Sequence, residues 1–344
     1  MKNIVCAYVY CNNLDHIKDK LFQDEFSKKI DIIYYSFIKI EENANLLFPS
    51  SFTKYLNNIL SLKENNTKIS VSINNQKALS KVCNDEILRK QLVNNLIDFL
   101  LKNKINGIDI DWEVPGSSNL SIEVDKSNLN QFVKELKENM IKYIEDPILS
   151  IAIFGTPLGD NRYDYAFLNQ YIDYYNVMSY DANIDEVTSH NCPLYKNEYL
   201  NRNYSIDEAY HKLLKAKIDP NKLVLSCAFY GRIYQIIEDM TDGIVIGKKA
   251  KYLESEYKNG VAHYFYIKQH YNKETGFEEY FDSKTKAAYA YNIHSKTFVT
   301  YDNQTSIQAK IEYIKQKKTG IMFWDYGGDY QNELLQTIIN NLEE

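Results

Sequence analysis

The run Asn106-Gly107-Ile108-Asp109-Ile110-Asp111-Trp112-Glu113-Val114-Pro115-Gly116 carries an acid at every second position from Asp109 to Glu113. In an extended strand Asp109, Asp111 and Glu113 project from one face, and Ile108, Ile110 and Trp112 from the other. Neighbouring carboxylates on such a face stand roughly 7 Å apart along the backbone. In a confined space three of them do not all ionise easily. Repulsion and desolvation raise at least one pKa, and a carboxyl group that keeps its proton near neutral pH is what a general acid requires. The plain alternative is a strand with its acids facing water. Against it stand the helical stripe Leu92, Val93, Leu96, Ile97 and Leu100 before the run and the Pro-Gly turn after it. Helix, strand, loop is the order of a strand covered by helices on its outer side, with the carboxylates pointing inward. Asp-x-Asp also ligates Mg or Ca, but calcium loops use glycine and backbone carbonyls where this run has β-branched residues. No metal and no cofactor is expected.

Outward from this run, strand-like segments fall at 4–10, 30–40, 68–74, 105–112, 148–154, 174–180, 222–229 and 319–324. Most are apolar on both faces, as parallel strands between helices are. Helical patterns fall between them at 14–28, 51–64, 78–102, 126–145, 163–172, 206–217 and 305–318, with Ser205-x-x-Glu208 as a capping box and a last helix near 331–342. Alternating strands and helices in this number predict an α/β fold, a (β/α)8 TIM barrel. One gap, from about 230 to 319, is too long for a helix and two loops. Residues 235–300 are rich in Tyr, Lys and Gly and contain the short alternating pieces Gly243-Ile-Val-Ile246, Phe277-Glu-Glu-Tyr280 and Ala287-Ala-Tyr-Ala-Tyr291. A small α+β subdomain inserted there would wall one side of a groove at the barrel mouth. The catalytic barrel is thus expected over 1–234 and 301–344, and the insertion over 235–300.

Composition narrows the class. Of 344 residues, 44% are hydrophobic and 25% charged, enough apolar content for a full core. A net charge of −6 gives no encouragement to nucleic-acid or membrane binding, and no apolar run approaches transmembrane length. Ile4-Val5-Cys6-Ala7 reads as a first strand rather than a targeting segment, which favours a cytoplasmic protein, or a secreted or spore-associated one if the natural chain is longer. Five cysteines at irregular spacing suggest reduced, buried thiols, and six scattered histidines suggest surface or packing roles. A monomer is expected.

Asp109-Ile-Asp111-Trp-Glu113-Val-Pro115-Gly116 resembles the signature of glycoside hydrolase family 18, the chitinases and their relatives, written D-G-x-D-x-D-W-E-x-P-G. Other strand ends agree with that family in order: Met178-Ser179-Tyr180-Asp181 with M-T-Y-D, Phe229-Tyr230-Gly231-Arg232 with F-Y-G-R, Trp324 with a tryptophan after strand eight, and Tyr301-Asp302 with Y-D. Strand three departs from it, because Ser72-Ile73-Asn74-Asn75-Gln76 stands where the family commonly has S-x-G-G followed by Trp. The resemblance implies that Glu113 protonates the glycosidic oxygen while the substrate's own acetamido carbonyl attacks the anomeric carbon. Asp111 would accept the acetamido N–H, Asp109 would share a proton with Asp111, and Tyr180 would hold the acetamido oxygen. Trp324 would floor the cleaved sugar's subsite, with Met178, Asp181, Tyr230 and Arg232 lining the site and Tyr8 and Phe37 beneath. It implies a chitinase acting on a carbohydrate substrate, chitin or its soluble oligosaccharides. An endo-β-N-acetylglucosaminidase on N-glycans and a peptidoglycan or spore-cortex hydrolase are the alternatives, and a chitin-binding lectin ranks below because Glu113 is intact.

Overall fold

The computed structural model describes residues 3–113, 115–116, 118, 120–156, 161–182, 186–198, 200, 204–238 and 244–343. Val114 of the acidic run and Gly243 of the expected alternating piece lie outside the described residues. Eight parallel strands form the barrel: Val5–Tyr10, Ile32–Ile40, Lys68–Asn74, Gly107–Ile110, Ile148–Phe154, Tyr174–Met178, Leu223–Ala228 and Gly320–Trp324. Each pairs with the next, and the last pairs with the first, Val5 opposite Ile321 and Ala7 opposite Phe323, so the cylinder has no free edge. A two-residue strand, Leu46–Leu47, is added antiparallel to the second. Ile108, Ile110 and Trp112 of the acidic run are all fully buried, as side chains facing the helical layer would be.

The helices depart from the sequence reading where short polar side chains compete for backbone N–H groups. The single helix expected over 78–102 is two, Gln76–Asn84 and Glu86–Asn103. Asp85 sits between them in an extended conformation, and its carboxylate accepts from the Ile87 and Leu88 amides, so it ends one helix by capping the next. The pattern at 163–172 yields only Tyr165–Leu168. At the expected capping box Ser205 does accept from the Glu208 amide, but the Glu208 carboxylate pairs with Lys196 instead of reaching back.

Between the seventh and eighth barrel strands lies an antiparallel sheet. Its strands Tyr230–Ile236, Ala250–Tyr252, Val261–His263, Glu278–Asp282, Ala287–Asn292 and Thr297–Tyr301 are accompanied by the helix Tyr264–His270. The sheet therefore begins at Tyr230, one residue after the barrel. A Cβ on Gly231 would collide with the Thr300 carbonyl, so this first strand needs glycine where its neighbour crosses closely. The exit is anchored by a buried pair: Lys310 Nζ lies 2.5 Å from both Asp302 oxygens, and Asp302 also accepts from the Ala228 amide at 3.0 Å. One carboxylate thus ties the insertion, the following helix Gln304–Lys317 and the end of the seventh strand together. All five cysteines are buried and unpaired.

Candidate active site

Register places the innermost acid. Ser72, Asp109 and Ser150 are direct partners across three adjacent strands, so all three side chains enter the same interior layer of the barrel. Asp109 is fully buried and accepts from Ser150 Oγ at 2.6 Å, Ser72 Oγ at 2.8 Å, Tyr8 OH at 2.9 Å and Asn176 Nδ2 at 3.0 Å. Burial lifts its pKa above the ordinary carboxylate range, with these four hydrogen bonds pulling the other way.

Asp111 follows the end of its strand, held by its own amide on the Ile73 carbonyl at 3.0 Å. Asp111 is 4% exposed, and Asn74 and Glu113 stand beside its carboxyl. Burial first, then the charges of Glu113 and Asp109, hold it well above the usual range. Glu113 stands higher and is half-buried. Burial raises its pKa too, and the charge of Asp181 adds to the effect, while the neighbouring Asp111 carboxyl opposes it. The Glu113 backbone is fixed by Tyr163, whose hydroxyl donates to the Glu113 carbonyl at 2.7 Å. Asp109 is thus engaged by four neutral donors, and Asp111 is perturbed by both of its acidic neighbours.

A cavity of about 350 Å³ opens above this pair at the C-terminal ends of the strands. Tyr8, Phe37, Asp111, Glu113, Met178, Tyr180, Asp181, Tyr230, Arg232 and Trp324 all line it, which gathers every expected site residue except the deeper Asp109. Tyr180 is 8% exposed and packs edge-on to Tyr230, with ring centroids 5.8 Å apart at 72°. Burial and the surrounding acids push its phenol far up, so it stays a hydrogen-bond donor. Asp181 adopts φ +52° and is held by Arg232 Nη2 at 2.6 Å. Trp324 stacks on Phe37 at 5.5 Å and 25°, with Tyr8 at 5.6 Å and Tyr10 at 6.1 Å behind it. Tyr301 and Asp302 do not line the cavity; they bond Glu279 and Lys310 and are structural.

The altered third strand end has a definite part in this site. Asn74 lines the cavity beside Asp111 and opposes the rise of its pKa, and Gln76 Nε2 donates to the Asp111 carbonyl at 3.1 Å. Asn75 takes φ +122°, a conformation natural to glycine. It is held there by its own side chain, which donates to the Ile40 carbonyl at 2.8 Å and accepts from the Ala78 amide. The glycine-like backbone survives without glycine because the amide bonds at both ends.

Three residues at the opposite wall escaped the sequence reading. His263, expected to be a surface or packing residue, lines the cavity, as does Asp325, and Glu256 bonds the His263 ring at 3.0 Å. Asp325 follows Trp324 directly, which is the one clue the sequence offered. His263 had none, since its position depends on the register of the inserted sheet, where it pairs with Tyr230.

Fold and site together define a class: a (β/α)8 barrel whose mouth holds buried, mutually perturbed acids under an aromatic-walled cavity. The chain belongs to the Glycosyl hydrolases family 18, matched over residues 4–329. It is 26% identical over 308 residues to Chitinase A1 of Niallia circulans, covering 82% of this chain and 43% of that protein. It is 25% identical over 292 residues to Sporulation-specific chitinase 2 of Saccharomyces cerevisiae, covering 76% and 54%. The chain therefore spans about half the length of these curated relatives. Among solved structures, chitinase ChiW of Paenibacillus sp. str. FPU-7 superposes with a TM-score of 0.86 at 26% identity, covering 100% of this chain and 33% of that one. The Group IV chitinase of Ostrinia furnacalis shares the fold over 100% of both chains, with a TM-score of 0.87 at 23% identity.

Proposed function

We propose that the chain hydrolyses β-1,4-linked N-acetylglucosamine chains, as a chitinase, by a retaining, substrate-assisted route. The observation that carries this reading is the gathering of Asp111, Glu113 and Tyr180 on one cavity, the two carboxyls side by side. A retaining glycosidase with its own nucleophile sets its two carboxyl groups about 5–5.5 Å apart, with the anomeric carbon between them. Asp111 and Glu113 leave the same strand end two residues apart, so they lie on one side of a bound sugar and do not flank that carbon. The other acids of the cavity are engaged elsewhere, Asp181 by Arg232 at 2.6 Å and Asp325 by Asn13 at 2.9 Å. The attacking oxygen then comes from the substrate's acetamido group, the route known for family 18 as a whole.

Each step has a residue suited to it. Glu113, its pKa raised by burial, gives its proton to the glycosidic oxygen as the bond to the anomeric carbon breaks. The acetamido oxygen closes on that carbon and forms an oxazolinium ring. Asp111 takes the acetamido N–H and stabilises the positive charge, while the Tyr180 hydroxyl donates to the acetamido oxygen and keeps it in line. Water, deprotonated by Glu113, then opens the ring with net retention. Trp324 offers an aromatic face to the sugar over which this happens.

The route makes the 2-acetamido group indispensable. Chitooligosaccharides are expected to be cut, and the matching β-1,4-glucans to show no turnover above the uncatalysed rate, by mass spectrometry of parallel digests. Efficient cleavage of the glucan would refute substrate assistance. Including a high-mannose glycoprotein in the same series separates a chitinase from a glycan-releasing enzyme.

A further inference from the structure

The wall of the cavity opposite Glu113 holds an arrangement that the hydrolytic steps do not use. His263 ends the short strand Val261–His263 of the inserted sheet, and Asp325 follows the last barrel strand. Glu256 fixes the histidine twice: its carboxylate accepts from the His263 backbone amide at 2.8 Å and lies 3.0 Å from Nδ1. The ring is clamped further, with Phe265 stacked at 5.4 Å and 25° and Tyr257 at 5.2 Å and 90°. Asp325 is 2% exposed, and its Oδ2 accepts from Asn13 Nδ2 at 2.9 Å. His263 Nε2 and Asp325 Oδ1 lie 3.8 Å apart, with the backbone of Tyr10 and Gly327 also beside the Asp325 carboxyl.

That distance is too long for a direct hydrogen bond and suits an oxygen bonded to both. The groups differ in kind. Asp325 Oδ1 accepts, and Nε2 donates when Nδ1–H is already committed to Glu256 and the ring is charged. Burial alone would pull the His263 pKa down, but the Glu256 hydrogen bond and the charges of Asp325 and Glu256 outweigh it and raise it. A sugar hydroxyl, which accepts from one side and donates to the other, can take the place that water would otherwise fill. A carboxylate or phosphate oxygen would be repelled by Asp325, and an ammonium by His263. Among the described residues no cluster of His, Cys, Asp and Glu is arranged to hold a metal ion.

We propose that Glu256, His263 and Asp325 form a hydroxyl anchor beside Trp324, gripping the C6 hydroxyl of one N-acetylglucosamine unit and so setting the register of the bound chain. The inference rests on the amino-sugar reading of this cavity. In a β-1,4-linked chain the free hydroxyls are those on C3 and C6, and only the C6 hydroxyl sits on a rotatable arm that reaches a side wall. His263 and Asp325 are specificity residues in this scheme, and Glu256 is a positioning residue that acts through His263.

The test is calorimetric binding of tetra-N-acetylchitotetraose, and of its 6-deoxy analogue, to the Glu113→Gln protein, which binds without cutting. Adding His263→Ala is expected to weaken binding of the parent sugar roughly ten-fold or more, the usual size of a lost hydrogen bond to a charged group. The 6-deoxy analogue is expected to bind weakly already and to lose nothing further. Asp325→Asn, which keeps the shape of the wall, should show the same ligand dependence, and His263→Gln, which keeps a donor, should recover part of the affinity. Equal weakening for both sugars, or none for either, would overturn the anchor. If Glu113→Gln alone binds neither sugar, the amino-sugar reading fails first and the anchor falls with it.

Discussion

Glu113→Gln is expected to lower kcat on chitooligosaccharides by about 10²–10⁴-fold, the range a positioned general acid supplies, while leaving Kd within a few-fold of the parent protein. Gln fills the same space beside Asp111, but it has no acidic proton to give the leaving oxygen. Steady-state kinetics and calorimetry on one oligosaccharide separate the two effects. The unsubstituted protein adds an independent check through pH. Burial and Asp181 raise the Glu113 pKa, so the active, protonated form persists above the ordinary glutamate range and is lost as pH rises through the raised value. The alkaline limb of kcat/KM should therefore lie above about 4.3, the unperturbed glutamate pKa, and should shift down when Asp181→Asn removes the neighbouring charge. Unchanged turnover in Glu113→Gln would take the acid role away from this residue.

Asp111→Asn is expected to do two opposite things: abolish most of the activity and stabilise the fold. Asp111 sits between two other acids with its folded pKa raised well above the unfolded value. Its contribution to stability is thus fully present below the unfolded aspartate pKa, near 3.9, and is lost as pH rises through the folded value. At neutral pH the native protein bears the cost of that buried charge or of the proton it must hold. Asparagine keeps the shape, offers its oxygen to Asn74 and its nitrogen to Glu113, and removes the charge. A gain of about 1 kcal/mol is in the range of such relieved sites. In a chain of this length it corresponds to roughly 1–2 °C in Tm, larger at pH 7 than at pH 4. A Tm that falls equally at both pH values would mean that Asp111 stabilises the barrel and that the site stores no electrostatic strain.

Much of this site was legible in one dimension because its parts are local. The two-residue period of the acidic run, set against the helical stripe before it, already gave an inward-facing row of carboxylates. The barrel strands found from apolar runs match the observed ones to within a few residues, and Lys68–Asn74 and Ile148–Phe154 coincide with their expected spans. Apolar patterning records burial, and burial is what closes the barrel. The split at Asp85 was less visible, since whether a side chain continues a helix or caps the next depends on a choice of backbone conformation that the residue type permits either way.

What the sequence by itself determined is therefore the barrel, the acidic strand and the order of the strand-end residues around the mouth, since each follows from periodicity or from adjacency in the chain. What only the tertiary structure decided is partnership across the barrel. Four donors from four strands converge on Asp109, Asp111 lies beside Glu113, Asn75 holds a glycine-like turn through its side chain, and His263 meets Asp325. These contacts join residues from 2 to 101 positions apart, and a side chain's reach across a barrel is set by register and twist, which no local pattern encodes.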